Sequence, residues 1–128
     1  MGRSENLGPF FTPQEKESLL ASFDLSISSN ISATGITLAA AATSTSDIAA
    51  VYTATSASAD AFKLRTGSDT PAYKRTQYVI NRSASPLRIF PPSGGTLNGL
   101  YETAVTLTSG SHGLFVLLNR TANEYVKL

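Results

Sequence analysis

Between residues 77 and 100 the chain sets down a β-type run, a polar break, a second β-type run and two glycine-containing turns in close succession. The runs are Gln77-Tyr-Val-Ile-Asn81 and Leu87-Arg-Ile-Phe90, short and rich in β-branched and aromatic side chains. Such runs suit a pleated strand better than a helix. Pro91-Pro92-Ser93-Gly94-Gly95 stops the second run, because proline removes a ladder donor and glycine frees the backbone. Asn98-Gly99 is a tight-turn pair that tolerates positive φ at both positions. At this spacing the stretch reads as a compact antiparallel β-module.

The same grammar extends over most of the chain. From Asp24 onward apolar and small polar residues alternate: Leu25 and Ile27 with Ser26 and Ser28, then Ile36 and Leu38 around Thr37. A tract of small residues over 39–46 fits an inner strand or a loop equally well. Further strands are expected at 48–55, 60–66, 104–108, 114–119 and 124–128, with turns at 67–71 and 109–113. Ser and Thr make up about a quarter of the chain, which suits strands and polar turns. About eight or nine short strands with frequent turn signals predict an all-β antiparallel β-sandwich or barrel over residues 24–128.

Residues 1–23 follow another pattern and read as an N-terminal arm with one short helix. Gly8-Pro9 interrupts regular structure and precedes the apolar pair Phe10-Phe11. Thr12-Pro13-Gln14-Glu15 is a helix start: Thr12 caps, Pro13 fits the first helical position and Glu15 completes a capping box. The helix fades near Phe23. It is too short to stand alone, so its stripe of Leu19, Leu20 and Phe23 must dock on something. That surface is the chain's own β-domain or a neighbouring protein.

Leu114-Phe-Val-Leu-Leu118 is apolar on both faces of its expected strand, whereas 105–108 alternates cleanly. Burial on two sides needs two covers. One is the domain's own core. The other is a second sheet or a neighbouring subunit, and with charged residues only 15% of the chain the reading leans to the subunit, with Phe115 and Leu117 at the oligomer interface.

Charge and residue types bound the chemistry. The net charge is +1, so no global field draws the chain to nucleic acid. Basic residues do cluster locally, as Lys63, Arg65, Lys74, Arg75, Arg82 and Arg88. The cluster fits a solvated sheet face or an electrostatic patch for an acidic protein surface. The chain has no cysteine and a single histidine, His112, in a Ser-Gly-Ser-His-Gly turn, so no metal site or cofactor is expected. No Gly-x-Ser-x-Gly elbow is present, Glu15 and Glu17 do not share a helix face, and Asp47, Asp60 and Asp69 fall at turns. No catalytic residue is therefore assigned, and the protein is not expected to be an enzyme. No apolar run is long enough for a membrane span, and Met1-Gly-Arg-Ser-Glu-Asn leads into none. Tyr73 and Tyr101, each near a turn, are the best-placed aromatics for stacking on a sugar ring.

The stretch Tyr78-Val-Ile-Asn-Arg-Ser-Ala-Ser-Pro-Leu-Arg-Ile-Phe-Pro-Pro-Ser-Gly-Gly-Thr-Leu-Asn-Gly-Leu100 resembles a pattern in small β-structured virion proteins of tailed phages. These are capsid decoration (cement) proteins, head fibres and tail-fibre modules. The resemblance covers residues 76–128, less than half the chain, and rests on turn residues and β-alternation. It implies a capsid decoration protein on the outer surface of a phage head, bound to the major capsid protein as a homotrimer and assembled in the host cytoplasm. The alternative it implies is a tail-fibre or head-fibre module that binds a host receptor or glycan. The helix at the N-terminus has no counterpart in the resemblance. On physical grounds Phe10, Phe11, Leu19, Leu20 and Phe23 are expected to form the capsid-binding arm.

Overall fold

The computed structural model describes residues 25–128, and the arm and helix expected over 1–23 lie outside it. The described residues are all-β. Eleven strands form two sheets. They are β1 (Ile27–Ser32), β2 (Ala42–Thr43), β3 (Ile48–Thr53), β4 (Ala61–Lys63), β5 (Thr76–Asn81) and β6 (Leu87–Phe90), followed by β7 (Thr96–Leu97), β8 (Leu100–Tyr101), β9 (Val105–Leu107), β10 (His112–Asn119) and β11 (Glu124–Lys127). One sheet has seven strands in the order β1-β3-β5-β10-β11-β7-β8, and the other has four, β2-β4-β6-β9.

Both sheets are mixed, which corrects the expectation of antiparallel pairing. β1 pairs with β3, β3 with β5, β2 with β4, β4 with β6 and β11 with β7, all in parallel. The cause lies in the connections. Strands β1 to β6 alternate between the sheets, so each polar turn carries the chain across the core rather than back along a neighbour. Two such crossings return it to the first sheet in the same direction. The turn between β5 and β6 is therefore an arch between sheets and not a hairpin. True hairpins occur at β7–β8 and β10–β11.

The arch has a built-in keystone. Asn81 is fully buried and uses its whole amide. Its Nδ2 donates to the Ser85 carbonyl at 2.8 Å and the Leu107 carbonyl at 2.9 Å. Its Oδ1 accepts from the Ser83 amide at 3.0 Å and the Ser83 hydroxyl at 2.6 Å. The Asn of the resemblance stretch is thus a structural clasp that turns the chain from one sheet to the other.

Alternation along each strand sends one set of side chains into a shared core. From the seven-stranded sheet come Ala49, Val51, Val79, Phe115, Leu117, Tyr125 and Leu97. From the other come Phe62, Leu87, Ile89 and Leu107. A polar thread crosses this core. Gln77 Nε2 donates to the Tyr125 hydroxyl, which donates to the Arg65 carbonyl at 2.8 Å, and the Arg65 amide returns to Gln77 Oε1 at 3.3 Å.

Two local expectations are corrected. Residues 36–38 form a turn rather than a strand. Gly35 (φ 64°) starts it, and the Thr34 hydroxyl closes it on the Ala40 carbonyl at 2.7 Å. The small-residue tract after it contributes only the two-residue edge strand β2. In β1 a bulge around Asn30 (φ 68°) resets the alternation, so that Ser28 and Ile31 both pair with inward positions of β3.

Candidate interaction surfaces

Strand β10 divides its apolar residues between two faces. Phe115 and Leu117 lie in the core, fully buried. They face the chain's own four-stranded sheet, which corrects their placement at an oligomer interface. The side chains left outside are those of Leu114, Val116 and Leu118, and Leu118 is 53% exposed.

Register extends this outer surface across the sheet. Ile27 of β1 pairs with Ile48 of β3, Ile48 with Tyr78 of β5, and Tyr78 with Leu114 of β10. The Leu128 amide donates to the Leu114 carbonyl at 2.9 Å and brings Leu128 opposite it. The result is one apolar row across the sheet, with Ile80, Val116 and Val126 in the flanking rows. His112 lies there too, its ring 5.2 Å from that of Tyr78. It opens β10 rather than sitting in the preceding turn. Among the described residues, every strand belongs to one of the two sheets, and none lies over this face.

The six basic residues do not share a surface. Arg65 is buried, and its Nη2 lies 3.2 Å from Asp47, whose other oxygen is 3.3 Å from Lys74 Nζ. Arg88 grips Asp60 through two bonds of 3.1 Å. Arg75 donates to the Ala72 and Leu118 carbonyls. Arg82 lies over the Tyr52 ring at 5.4 Å. Lys63 borders a shallow cleft with Leu38, Ala39, Ser93 and Glu102. Most of this charge thus works inside the chain. Sequence alone conceals the pairing, because Asp60 meets Arg88 only through the parallel register of β4 on β6, which sets Ala61 beside Arg88.

Asp47 is the most heavily bonded of these groups. Besides its two cations it accepts from the Ser26 amide at 2.9 Å and the Ser26 hydroxyl at 3.0 Å. The Asp47 amide donates back to Ser26 Oγ at 3.0 Å. Burial raises the Asp47 pKa, but the Ser26 bonds, Lys74 and Arg65 together outweigh it and hold the carboxyl below its ordinary value. This clasp fixes the point where the chain enters β1.

At the far edge of the seven-stranded sheet, the β7–β8 hairpin presents two large apolar side chains. Leu100 is 57% exposed and Tyr101 65%. Asn98 (φ 54°) and Gly99 (φ 81°) form the expected turn, with Leu97 opposite Leu100. Asn98 also ties the hairpin to β11: its amide donates to the Tyr125 carbonyl, and its Oδ1 accepts from the Lys127 amide at 2.8 Å. Glu102 (φ 47°) locks the base, its carboxylate accepting from the Gly94 amide at 2.7 Å and its own amide donating to the Gly95 carbonyl. Tyr73, 82% exposed, stands on the loop before β5, away from this edge.

A cleft of about 350 Å³ lies between the 67–70 loop and the β10–β11 turn, lined by Gly67, Ser68, Arg120, Thr121 and Asn123. Its walls are tied together, Asn123 Oδ1 accepting from the Gly67 amide and Arg120 Nε donating to the Thr70 carbonyl at 3.0 Å. Among the described residues no group of His, Asp or Glu is arranged to hold a metal ion. The arm residues Phe10, Phe11, Leu19, Leu20 and Phe23 lie outside the described residues. Comparison of the chain with protein-family models, with curated proteins and with solved structures gives no match.

Proposed function

We propose that the two sheets form a β-sandwich and that the chain is a non-enzymatic virion structural protein. In this reading it is a capsid decoration protein, which binds the major capsid protein on the outside of a tailed-phage head and reinforces the shell. The observation that supports it most is the β7–β8 hairpin. Leu100 and Tyr101 project from a turn held at both its tip and its base. A projection already fixed in shape loses little conformational freedom on docking, so its apolar area counts almost fully toward binding. A leucine and a tyrosine on opposite faces of the hairpin suit the apolar surface of a protein better than a sugar, which would be met by an aromatic face with polar neighbours. The hairpin also closes the stretch that resembles phage virion proteins, whose other residues serve as scaffold: Asn81 as clasp, Val79, Leu87, Ile89 and Leu97 as core.

Several modest contacts per assembly suffice for such a role, because linked copies make later attachments effectively intramolecular. The hairpin supplies one contact and the arm, residues 1–23, another. Self-association into the trimer implied by the resemblance would multiply both. The test is co-sedimentation of the purified chain with phage capsids that lack it. Wild type should pellet with capsids, and Leu100→Asp combined with Tyr101→Asp should lose most of that binding while remaining folded. Failure of the wild type to bind capsids, together with binding to host-surface glycans, would replace the decoration reading with the fibre one.

A further inference from the structure

The polar cleft between the 67–70 loop and the β10–β11 turn has no part in the capsid reading. We infer that it binds a carboxylated sugar, a uronic-acid residue of a glycan, with Arg120 on the carboxylate and Ser68, Thr121 and Asn123 on the ring hydroxyls.

The cleft is shaped before any ligand arrives. A Cβ on Gly67 would lie 1.8 Å from the Arg120 carbonyl oxygen, so only glycine lets the two walls come this close. Asn123 holds a left-handed backbone (φ 52°), which asparagine tolerates. Its Oδ1 accepts from the Gly67 amide at 2.6 Å. Arg120 Nε donates to the Thr70 carbonyl at 3.0 Å. Both side chains thus reach from the turn to the loop and are fixed there.

These two bonds decide the chemistry. Asn123 has its acceptor engaged, which leaves the Nδ2 donor. Arg120 has Nε engaged, which leaves the planar fork of its two Nη atoms. Among the described residues, neither these donors nor the Thr121 hydroxyl has a partner. No carboxylate among those residues pairs with Arg120. Asp69, on the same loop, accepts instead from the Thr66 hydroxyl at 2.9 Å. A guanidinium fork with no carboxylate of its own matches the two oxygens of a ligand carboxylate.

The hydroxyls select a sugar over a simple anion or an acidic side chain. Thr66 donates to Asp69, so in the 3.1 Å contact between Thr66 and Ser68 the donor is Ser68. The Ser68 oxygen is then free to accept, and Thr121 can donate or accept. Acceptors beside the fork serve a ligand that carries hydroxyls as well as a carboxylate. The volume of about 350 Å³ is at the small end of the range for small-molecule sites and suits one monosaccharide. Tyr73 stands on the segment that follows, between Thr70 and Arg75, and Arg75 Nη1 is tied to the Leu118 carbonyl at 3.1 Å. At 82% exposure it offers an aromatic face to the next sugar of a chain.

Nuclear magnetic resonance of the isotope-labelled full-length chain tests this, read at the Gly67 amide, the Arg120 Nε–H and the Asn123 side-chain amide. Galacturonate should shift these signals with a Kd of about 1 mM, and galactose and acetate should each bind about tenfold or more weakly. Trigalacturonate should bind more tightly than the monomer, and Tyr73→Ala should remove only that gain. Asn123→Asp keeps an oxygen toward Gly67 but replaces the Nδ2 donor with a second carboxylate oxygen, and it should weaken galacturonate about tenfold or more. Thr121→Val, at an exposed position, is the second variant in case the first folds poorly, and it should weaken binding about threefold. Acetate binding as well as galacturonate would mean an adventitious ion only and overturn the inference. Tighter binding of a glutamate-containing peptide would give the cleft to an acidic protein and overturn it too. So would cleft signals that galacturonate leaves unmoved. Capsid co-sedimentation reads the hairpin, so the failure of either proposal leaves the other standing.

Discussion

At the scale of single residues, the polar side chains with the largest structural consequence are Asp47 and Asn81, and both are buried. Asp47 holds Ser26, Arg65 and Lys74 together, so its loss would leave Arg65 buried without its carboxylate. Removing one partner of a buried pair costs about 3 kcal/mol, and Asp47→Asn should lower stability at pH 7 by that order. The effect depends on pH in a fixed direction. The carboxyl titrates below its ordinary value of 3.8 in the folded chain, so the folded state takes up the proton only at lower pH than the unfolded one. Its contribution is full above the unfolded value, declines as pH falls through the folded value and is lost beneath it. Urea unfolding of wild type and Asp47→Asn at several pH values should show their difference shrinking below about pH 4. A difference that stays constant into acid would mean that the clasp works through shape and not charge. Asn81→Asp tests the other keystone. It keeps the shape but turns two donors toward the Ser85 and Leu107 carbonyls into acceptors. It should cost about 3 kcal/mol or more at neutral pH, measured by the same unfolding curves.

At the scale of elements, strand β10 offers a paired test, because its neighbouring side chains point to opposite surfaces. Phe115→Glu places a charge in the core and should destabilise by several kcal/mol or prevent folding. Leu118→Glu, half exposed on the outer face, should change the melting temperature little. The β7–β8 turn offers another. A Cβ on Gly99 meets nothing within 4 Å, so only its φ of 81° resists substitution. Gly99→Val should cost about 1–2 kcal/mol, and Gly99→Asn, which accepts positive φ, far less. Equal melting temperatures for the two variants would contradict the turn geometry. These elements also mark what the sequence discloses. Strands β3, β5, β6, β10 and β11 fall where β-branched and aromatic runs predict them, and Asn98-Gly99 makes its hairpin because local chemistry alone decides that turn. Partners are another matter. A short polar break such as 82–86 reads identically whether the chain turns back beside itself or crosses to a second sheet. What distinguishes the two is the contact of Asn81 with the Leu107 carbonyl, 26 residues away. The inner face of β10 was equally hidden, since Leu114 to Leu118 are all apolar and only the sheet's other strands settle which set turns inward.

At the scale of the whole molecule, charge is nearly balanced, and the buried carboxylates among the described residues are paired internally. The net charge is +1, and the buried carboxylates Asp47 and Asp60 engage Arg65, Lys74 and Arg88. Large apolar side chains that remain exposed include Leu100 and Tyr101 on the hairpin, Tyr73 on its loop, and Ile27, Leu118 and Leu128 on the outer sheet face. An association built on such surfaces draws on area removed from water, which added salt does not screen. Binding of the chain to capsids should therefore change less than about threefold between 50 and 500 mM salt, whereas association steered by a basic patch would weaken steeply over that range. Co-sedimentation across a salt series measures the slope. Arg82→Ala, which removes a cation stacked on Tyr52 without touching a buried carboxylate, should leave the slope unchanged. A steep decline with salt, flattened by that substitution, would return the basic residues to the binding surface. The hairpin and the arm would then be secondary to a face assembled around Arg82.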